Sequence, residues 1–286
     1  MSFKCHLCAE CNGKACIGQM PGMGGPMQNK NFILNCQDWS KIPSSDFATN
    51  KTPVRTRLAP MTGAVENAGY FDEKAFYTDL VNYCLKNDIE LSIGDGTPDC
   101  KLQYGIEAVK EAKKTNANLK TAVFIKPYSN EKIFERLSWA DGITEVAGVD
   151  TDAYNIITMR NLVHLEQKDA TQLKELKEHC NKKGIPFAIK GIFTQRDIEI
   201  VEQVKPDIAY ISNHGGRVET EEGSTAEFLA RHAQTIRSNC GKIWIDGGIR
   251  TQQDKDKAAS YGVDTVLIGR PCITAICREA KQRGYN

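Results

Sequence analysis

The segment SNHGGR at residues 212–217 combines two side chains suited to acid–base and anion chemistry. An imidazole exchanges a proton near neutral pH, so His214 is a candidate general base. Arg217 carries a planar guanidinium that matches a carboxylate. A histidine with a purely structural role is the alternative, and the neighbouring glycines and arginine argue against it.

Two later segments are suited to bind a phosphate group. They are DGGIR at 246–250 and GRP at 269–271. Glycines allow backbone N–H groups to approach an anion closely, and Arg250 and Arg270 add charge-assisted hydrogen bonds. Tight turns with solvated arginines are the alternative, but two such segments in adjacent units favour a phosphate site.

These segments follow short apolar runs that are typical of strands buried on both faces. The predicted strands lie near 57–62, 90–94, 121–126, 145–150, 186–191, 207–212, 242–246 and 264–269. Amphipathic stretches that predict helices separate them, at 71–87, 101–114, 131–140, 170–183, 194–204, 224–238, 251–261 and 272–282.

Eight strand-then-helix units predict a parallel sheet with right-handed crossovers, and their number predicts a closed (β/α)8 TIM barrel. An open doubly wound sheet is the runner-up, but the first predicted strand lacks the G-x-G-x-x-G turn of that fold. We therefore divide the chain into a cysteine-rich N-terminal segment (1–53) and a barrel (54–286). Active sites of such barrels lie at the carboxyl ends of the strands, where ionisable or glycine-rich groups follow six consecutive strands here.

Composition limits the classes of function. The chain has 286 residues, with 37 Lys and Arg against 36 Asp and Glu, so its formal net charge is +1. This balance argues against nucleic-acid binding through bulk charge. No apolar run is long enough to span a membrane, and the N-terminus has no apolar signal core, so we expect a cytoplasmic protein.

Four segments, in this order, resemble the FMN-dependent α-hydroxy-acid oxidases and dehydrogenases, the family of glycolate oxidase and lactate oxidase. They are AIKGI at 188–192, SNHGGR, DGGIR and LIGRP at 267–271. The resemblance extends more weakly back to Arg57. It implies oxidation of a small 2-hydroxy acid, such as lactate or glycolate, to the 2-oxo acid, with a hydride equivalent passing to flavin N5. It also implies self-association, while the electron acceptor stays open.

The resemblance implies roles for the matching residues. His214 would be the base, Arg217 would hold the substrate carboxylate, and Asp150 would hold His214. Lys190 would lie beside flavin N1 and O2 and stabilise the reduced flavin. Tyr128 would contact a substrate oxygen.

Asp246 would bind the ribityl chain of FMN by the same resemblance. The phosphate would be held by Gly247, Gly248, Arg250, Gly269 and Arg270. The flavin ring would lie along Pro60, Met61, Thr62 and Ser92.

The sequence departs from the family pattern at several points. Lys126 replaces a glutamine beside the flavin, where a cation suits a higher flavin potential or a more acidic substrate. Gly148 replaces a threonine. Residues 1–53 contain no counterpart of the family's second substrate-binding tyrosine.

The N-terminal segment contains Cys5, Cys8, Cys11 and Cys16 with the spacing C-x2-C-x2-C-x4-C. This spacing is compatible with a [4Fe–4S] cluster or with zinc, and His6 is an alternative ligand. Thiols that bind no metal, or disulfides formed in air, are the remaining interpretation.

Two other functions stay open. An FMN-dependent isomerase of a phosphorylated substrate would use the same phosphate residues but does not need the His–Arg pairing. A non-catalytic flavin or metal redox protein would need neither His214 nor Arg217.

Overall fold

Eight parallel strands form the (β/α)8 barrel that the alternating pattern predicts. The computed structural model describes residues 30–47, 53–63, 65, 70–156, 162–218 and 220–285. The strands are β1 (Arg55–Leu58), β2 (Ser92–Gly94), β3 (Thr121–Ile125), β4 (Thr144–Asp150), β5 (Phe187–Ile192), β6 (Ile208–Ile211), β7 (Lys242–Ile245) and β8 (Thr265–Ile268).

The helices within the described residues agree with the predicted amphipathic stretches, with one addition before β1. They are α1 (Lys30–Lys41), α2 (Glu73–Lys86), α3 (Cys100–Lys113), α4 (Asn130–Trp139), α5 (Ala170–Lys182), α6 (Gln195–Val204), α7 (Thr225–Arg237), α8 (Gln252–Ser260) and α9 (Arg270–Gln282). Short 3₁₀ helices follow β4 (Thr151–Asn155) and β6 (His214–Gly216).

The strands pair in the order β1-β8-β7-β6-β5-β4-β3-β2. The ring closes between β1 and β2, because Leu58 N donates to Glu90 O at 2.8 Å and Glu90 N donates to Thr56 O at 3.1 Å. Apolar side chains from alternate strand positions fill the interior. This interior cluster consists of Ala122, Phe124, Val146, Ala188, Ile208, Tyr210, Trp244 and Leu267.

A buried arginine occupies the amino-terminal end of the barrel. The Arg57 guanidinium pairs with Glu90 at 2.6 Å and with Glu145 at 2.7 Å, and it lies 4.9 Å from the centre of the Trp244 ring. Its charge is compensated there by the two carboxylates. The opposite end, formed by the carboxyl ends of the strands, is called the mouth below.

Helix α1 lies across the mouth, although the N-terminal segment shows no steady period in its sequence. Asn31, Asn35 and Trp39 occur at intervals of four residues, so they share one face of the helix. Asn31 Nδ2 donates to Val218 O at 2.7 Å, and Trp39 Nε1 donates to Gly247 O at 2.7 Å. The helix is therefore fastened to the loops that follow β6 and β7.

None of the helices in the described ranges has both the length and the apolar character that crossing a lipid bilayer requires.

Candidate active site

Four titratable side chains meet at the mouth, after β4, β5 and β6. Lys190 Nζ donates to Asp150 Oδ1 at 2.6 Å and to Asp152 Oδ1 at 3.1 Å. His214 Nδ1 lies 3.0 Å from Asp152 Oδ1 and 3.3 Å from Lys190 Nζ. The two aspartates and the lysine are buried, and the histidine is partly exposed. These four residues are called the mouth tetrad.

Strand register brings the first two members of the tetrad together. Asp150 and Lys190 are paired residues of β4 and β5, so both side chains leave the sheet on the same side. Two residues before Lys190, Ala188 belongs to the interior cluster, which shows that this side faces the inside of the barrel. The ion pair therefore caps the apolar interior.

A left-handed turn presents the histidine. His214, Gly215 and Gly216 have φ values of 55°, 64° and 89°, a region that favours glycine and that a histidine adopts only when its surroundings hold it there. Asn213 Oδ1 accepts a hydrogen bond from Gly216 N at 2.9 Å, and Ser212 Oγ accepts one from His214 N at 3.1 Å. These contacts hold the backbone of the turn.

The tetrad sets the protonation of its own members. Burial opposes ionisation of Asp150, but the positive charges of Lys190 and His214 outweigh it and hold the pKa of Asp150 well below its ordinary value. Burial and the neighbouring charge of Asp150 raise the pKa of Asp152 to about 6. Burial disfavours the charged amine of Lys190, yet the two carboxylates keep its pKa above the ordinary value.

Arg217 lies next to the tetrad. Burial lowers the pKa of its guanidinium, while the charges of Asp150, Asp152 and Asp246 oppose that effect. Its side chain forms no hydrogen bond with the part of the chain that the structure describes. A guanidinium with unused donors beside this group of charges is suited to an anionic ligand.

Two polar side chains point into the barrel with unused hydrogen-bonding capacity. Asp246 Oδ2 accepts hydrogen bonds from Tyr210 Oη at 2.7 Å and Ser212 Oγ at 3.1 Å. Asp246 Oδ1 and Ser92 Oγ are buried and have no partner among the described residues. Buried polar atoms are normally paired, so these two atoms fit hydroxyl or amide groups of a ligand in the mouth.

The two arginines predicted to bind phosphate lie around α1. Arg270 Nη2 donates to Gly215 O at 3.1 Å, and its guanidinium carbon lies 3.7 Å from the centre of the Phe32 ring. Arg250 Nη1 donates to Ile249 O at 2.9 Å. Both charges act on Cys36 of α1, where they oppose the burial that raises the pKa of its thiol.

The glycines predicted to bind phosphate have a second reason to be glycine. Gly247 and Gly248 have φ values of 99° and 77°. A Cβ on Gly248 would lie 1.8 Å from Asn35 O, and one on Gly247 would lie 2.4 Å from Thr225 Oγ1. Because α1 and α7 pack this closely, the glycines by themselves do not identify an anion site, and their role in phosphate binding stays a prediction.

The residues that follow β1 cross the ends of β2 and β8. A Cβ on Gly94 would lie 3.0 Å from the carbonyl group of Pro60 and 3.3 Å from the Thr62 methyl group. A Cβ on Gly269 would lie 2.9 Å from Met61 Sδ. Residues 60–62 are therefore half-buried at the mouth, beside the turn that contains Gly269.

The structure places Lys126 and Tyr128 near a second ion pair, the buried pair of Arg136 with Asp95. Lys126 shares the inward side of β3 with Phe124, and its backbone N–H donates to Asp95 Oδ2 at 3.2 Å. The buried ring of Tyr128 has the Arg136 guanidinium carbon 4.7 Å from its centre, and burial together with the charge of Asp95 raises the pKa of Tyr128 to about 12. Within the described residues Tyr128 has no hydrogen bond to the mouth tetrad, so its contact with a substrate stays a prediction.

Two features of the site are absent from the sequence predictions. Asp152, not Asp150, is the nearer carboxylate to His214, since Asp150 Oδ1 lies 3.5 Å from Nδ1. The sequence motif VDTD at 149–152 contains Asp152 and could have indicated it. The second feature is Asn35 of α1, and the interval of four residues between Asn35 and Trp39 is the sequence pattern that could have indicated it.

Packing explains why Gly148 stands where the family pattern has a threonine. A Cβ at this position would lie 2.4 Å from Phe124 Cε1. The Phe124 ring therefore fills the space that a threonine side chain would need.

The predicted metal ligands Cys5, Cys8, Cys11 and Cys16, together with His6, lie outside the described residues. Among the residues that are described, one group of possible ligands converges, namely Asp150, Asp152 and His214. The amine of Lys190 already provides the cation at that point.

Comparison with known proteins identifies the family of the chain. The profile of the FMN-dependent dehydrogenase family matches residues 106–284, which is more than half of the chain. The chain therefore belongs to the FMN-dependent dehydrogenase family.

Curated relatives match over shorter segments. A 2-hydroxyacid oxidase of Dictyostelium discoideum is 37% identical over 97 residues, which are 34% of this chain and 25% of that protein. An L-lactate dehydrogenase of Vibrio parahaemolyticus is 34% identical over 94 residues, 33% of this chain and 24% of that protein. The matched segments thus span about a quarter of these relatives.

Solved structures share the fold at low identity. A mandelate oxidase variant with benzoyl-formic acid superimposes with a TM-score of 0.62 and 15% identity, covering 87% of this chain and 78% of that one. The recombinant flavin-binding domain of baker's yeast flavocytochrome b2 gives 0.61 and 18% identity, covering 86% and 68%. These similarities support the barrel architecture.

Proposed function

We propose that this protein oxidises a small 2-hydroxy acid to the corresponding 2-oxo acid with FMN as its cofactor. The observation that carries the proposal is the mouth tetrad with Arg217 beside it, which puts an imidazole and an anion-binding guanidinium at the catalytic end of a barrel. The family membership of residues 106–284 supports the choice of cofactor.

The residues at the mouth fit FMN. The unpaired acceptor Asp246 Oδ1 suits a ribityl hydroxyl, and Ser92 Oγ suits a polar edge of the ring. Arg250 and Arg270, with the backbone of Gly247, Gly248 and Gly269, are the proposed phosphate ligands, and residues 60–62 would line the ring. FMN, when bound, supplies the acceptor for the two electrons that the substrate loses.

The chain's own residues handle the substrate and its proton. Arg217 binds the substrate carboxylate and so fixes which face of the α-carbon is presented. His214 accepts a proton at Nε2, because its Nδ1 is engaged by the tetrad. The oxidation of R–CHOH–COO⁻ to R–CO–COO⁻ releases two electrons and two protons. His214 takes one of these protons, and the other would leave with the electron pair as the hydride equivalent that the cofactor accepts.

Lys190 contributes a fixed positive charge. The amine is held by Asp150 at 2.6 Å and cannot leave the mouth without depriving a buried carboxylate of its ion-pair partner. Its charge is preorganised where negative charge develops on the cofactor side of the reaction. Lys126, also inward, adds a second cation that favours an acidic substrate or a more oxidising flavin.

The decisive experiment is anaerobic reduction of the purified flavoprotein by a panel of 2-hydroxy acids that includes lactate and glycolate. We expect loss of the oxidised flavin absorbance with at least one acid, and none with the matching 2-oxo acid. His214→Ala should keep the yellow colour and lose the reduction. Persistent reduction in that variant would contradict the assignment of the base, and a wild-type protein that no hydroxy acid reduces would contradict the function.

The remaining expectations have direct measurements. Iron and zinc analysis tests whether the four N-terminal cysteines bind a [4Fe–4S] cluster or zinc. Sedimentation tests the expected homo-oligomer. Reoxidation of the reduced protein by oxygen, compared with artificial carriers, addresses the electron acceptor.

A further inference from the structure

Lys126 is a buried cation at the mouth that has no anionic partner in the described part of the chain. The residue is 5% exposed, and its ammonium group forms no hydrogen bond or ion pair with the described residues. The carboxylate of Asp95 is already used, because Oδ1 pairs with Arg136 and Oδ2 accepts from the Lys126 backbone N–H at 3.2 Å. A buried charge without a partner is costly, so this ammonium is suited to an anionic ligand.

Strand register places Lys126 beside Asp150. Phe124 pairs with Gly148 across β3 and β4, and Lys126 and Asp150 each follow two residues later. Residues two apart share one side of a strand, so both side chains point inward. The Asp150 carboxylate pairs with Lys190 at 2.6 Å, and no ion pair within the described chain joins it to Lys126. Lys126 therefore lies next to the mouth tetrad without belonging to it.

Arg217 is a second cation at the mouth with unused donors. Its guanidinium forms no hydrogen bond with the described residues, and the charge of Asp150 acts on it. Asp150 is thus a common neighbour of Arg217 and Lys126, so one small ligand can reach both cations. Lys190 differs from them, because three carboxylate oxygens already lie within 3.2 Å of its Nζ.

An aromatic floor lies beneath these side chains. The rings of Phe124, Tyr210 and Trp244 contact one another with centres 5.5–6.4 Å apart, and Lys190 Nζ lies 5.6 Å from the centre of the Tyr210 ring. This floor closes the apolar interior of the barrel. A charged ligand is therefore confined to the level of Lys126 and Lys190.

We propose that the substrate is a 2-hydroxy acid with a second carboxylate on its side chain, and that Lys126 is the residue that selects it. Arg217 binds the carboxylate next to the hydroxyl, as in the proposed function on which this inference rests, and the Lys126 ammonium binds the second carboxylate. A single ammonium matches one negative charge, so a carboxylate suits it better than a phosphate group. The second carboxylate takes no part in the bond changes, so electrons and protons balance as they do for a monocarboxylic acid.

The flavin ring is the other group that could approach Lys126. An oxidised flavin offers carbonyl oxygens and no full negative charge, whereas a carboxylate supplies the charge that offsets the burial of an ammonium. A lysine that served the flavin would change the reduction potential and leave the choice of substrate unaffected. The two partners of Lys126 therefore have different measurable consequences.

The first test compares two substrates of nearly the same shape that differ in one charge, malate and its β-amide. Anaerobic flavin reduction should favour malate by at least about 10-fold in the ratio of limiting rate to half-saturating concentration, the effect of one charge-assisted hydrogen bond. Lys126→Gln should remove this preference, and Lys126→Arg should keep most of it. 2-Hydroxyglutarate and its side-chain amide are compared in the same way, so that a longer side chain is also covered.

Lys132→Gln is the matched control. Lys132 is an exposed lysine of α4 whose ammonium lies 4.3 Å from the centre of the Tyr128 ring, outside the mouth. This variant removes the same charge from the same side of the barrel and should leave the preference unchanged. An equal loss of preference in Lys126→Gln and Lys132→Gln would contradict a specific contact.

The second test measures binding without turnover. Calorimetric titration of the oxidised flavoprotein compares succinate with succinamate, neither of which has a hydroxyl group to oxidise. We expect succinate to bind more tightly in the wild type and the difference to disappear in Lys126→Gln. Equal affinities in the wild type would overturn the second carboxylate site.

The flavin midpoint potential of Lys126→Gln completes the test. A lowered potential together with an unchanged preference for malate would assign the lysine to the cofactor and refute the proposal. Failure of the proposed function gives a different result. A wild type that is reduced equally by lactate, malate and the amide retains the function and loses the second carboxylate, whereas a wild type that no hydroxy acid reduces loses the function.

Discussion

Substitution of Asn35 by alanine tests whether α1 is part of the site or only covers it. Asn35 Nδ2 donates to Asn213 Oδ1 at 2.7 Å, and its Oδ1 accepts from Asn213 Nδ2 at 3.1 Å and from Thr225 N at 3.0 Å. Asn35 and Asn213 are fully buried. Asn35→Ala therefore leaves two buried donors, one on Asn213 and one on Thr225, without their partner.

The expected loss follows from those two donors. At about 1–2 kcal/mol for each unsatisfied buried group, the variant loses about 3 kcal/mol of unfolding free energy. For a chain of this size that corresponds to a fall in Tm of about 6–12 °C. Because Asn213 also caps the turn that carries His214, FMN affinity should fall in parallel.

Thermal unfolding followed by circular dichroism measures the first effect, and quenching of flavin fluorescence measures the second. Gln37→Ala on the exposed side of α1 is the matched control, with an expected change below about 0.5 kcal/mol. If Asn35→Ala melts within about 1 °C of the wild type, α1 is not fastened to the mouth as described.

Three further perturbations have defined outcomes. Because the pKa of Asp152 is raised to about 6, this carboxyl binds its proton more tightly in the folded than in the unfolded chain. The stability that it contributes is therefore largest at low pH and is lost as the pH rises through about 6. The Tm of Asp152→Asn minus that of the wild type should become more positive from pH 4.5 to 7.5, and a constant difference would contradict the raised pKa. Lys190→Met removes the lysine partner of two buried carboxylates and should cost roughly 3–5 kcal/mol at pH 8, with a smaller cost in acid, where the carboxylates protonate. Urea titrations at pH 8 and in acid measure this. Gly148→Ala should cost about 1–3 kcal/mol because its Cβ meets the Phe124 ring, and Phe124→Leu in the same chain should restore most of the loss; absence of coupling in this double-mutant cycle would refute the clash.

Local pattern was sufficient for the barrel because each unit repeats the same signal. The apolar runs at 121–126 and 186–191 correspond to β3 and β5, and the stretch at 194–204 begins at Thr194, whose side chain caps α6 together with Asp197. A strand buried on both faces needs apolar residues at every position, and a helix needs a capping residue. Both requirements are local, so they are legible in one sequence.

The helix before β1 was not predicted for the opposite reason. The buried face of α1 mixes polar Asn31, Asn35 and Asp38 with Phe32 and Trp39, so it is not an apolar stripe. The cost of burying these asparagines is offset only by hydrogen bonds to partners such as Val218 and Asn213, which lie more than 170 residues away in the sequence. No short segment of the sequence contains both partners of these hydrogen bonds.

The sequence alone determined the class of fold, the positions of the strands and the identity of His214, Arg217 and Lys190 as candidates, because the carboxyl ends of parallel strands must meet at one edge. Only the tertiary structure decided how these groups pair. Proximity in the fold places Lys190 Nζ 2.6 Å from Asp150 and 3.1 Å from Asp152, and His214 Nδ1 3.0 Å from Asp152. Hydrogen bonds and charge interactions depend on distances in space, and these distances cannot be read from how far apart two residues lie in the sequence.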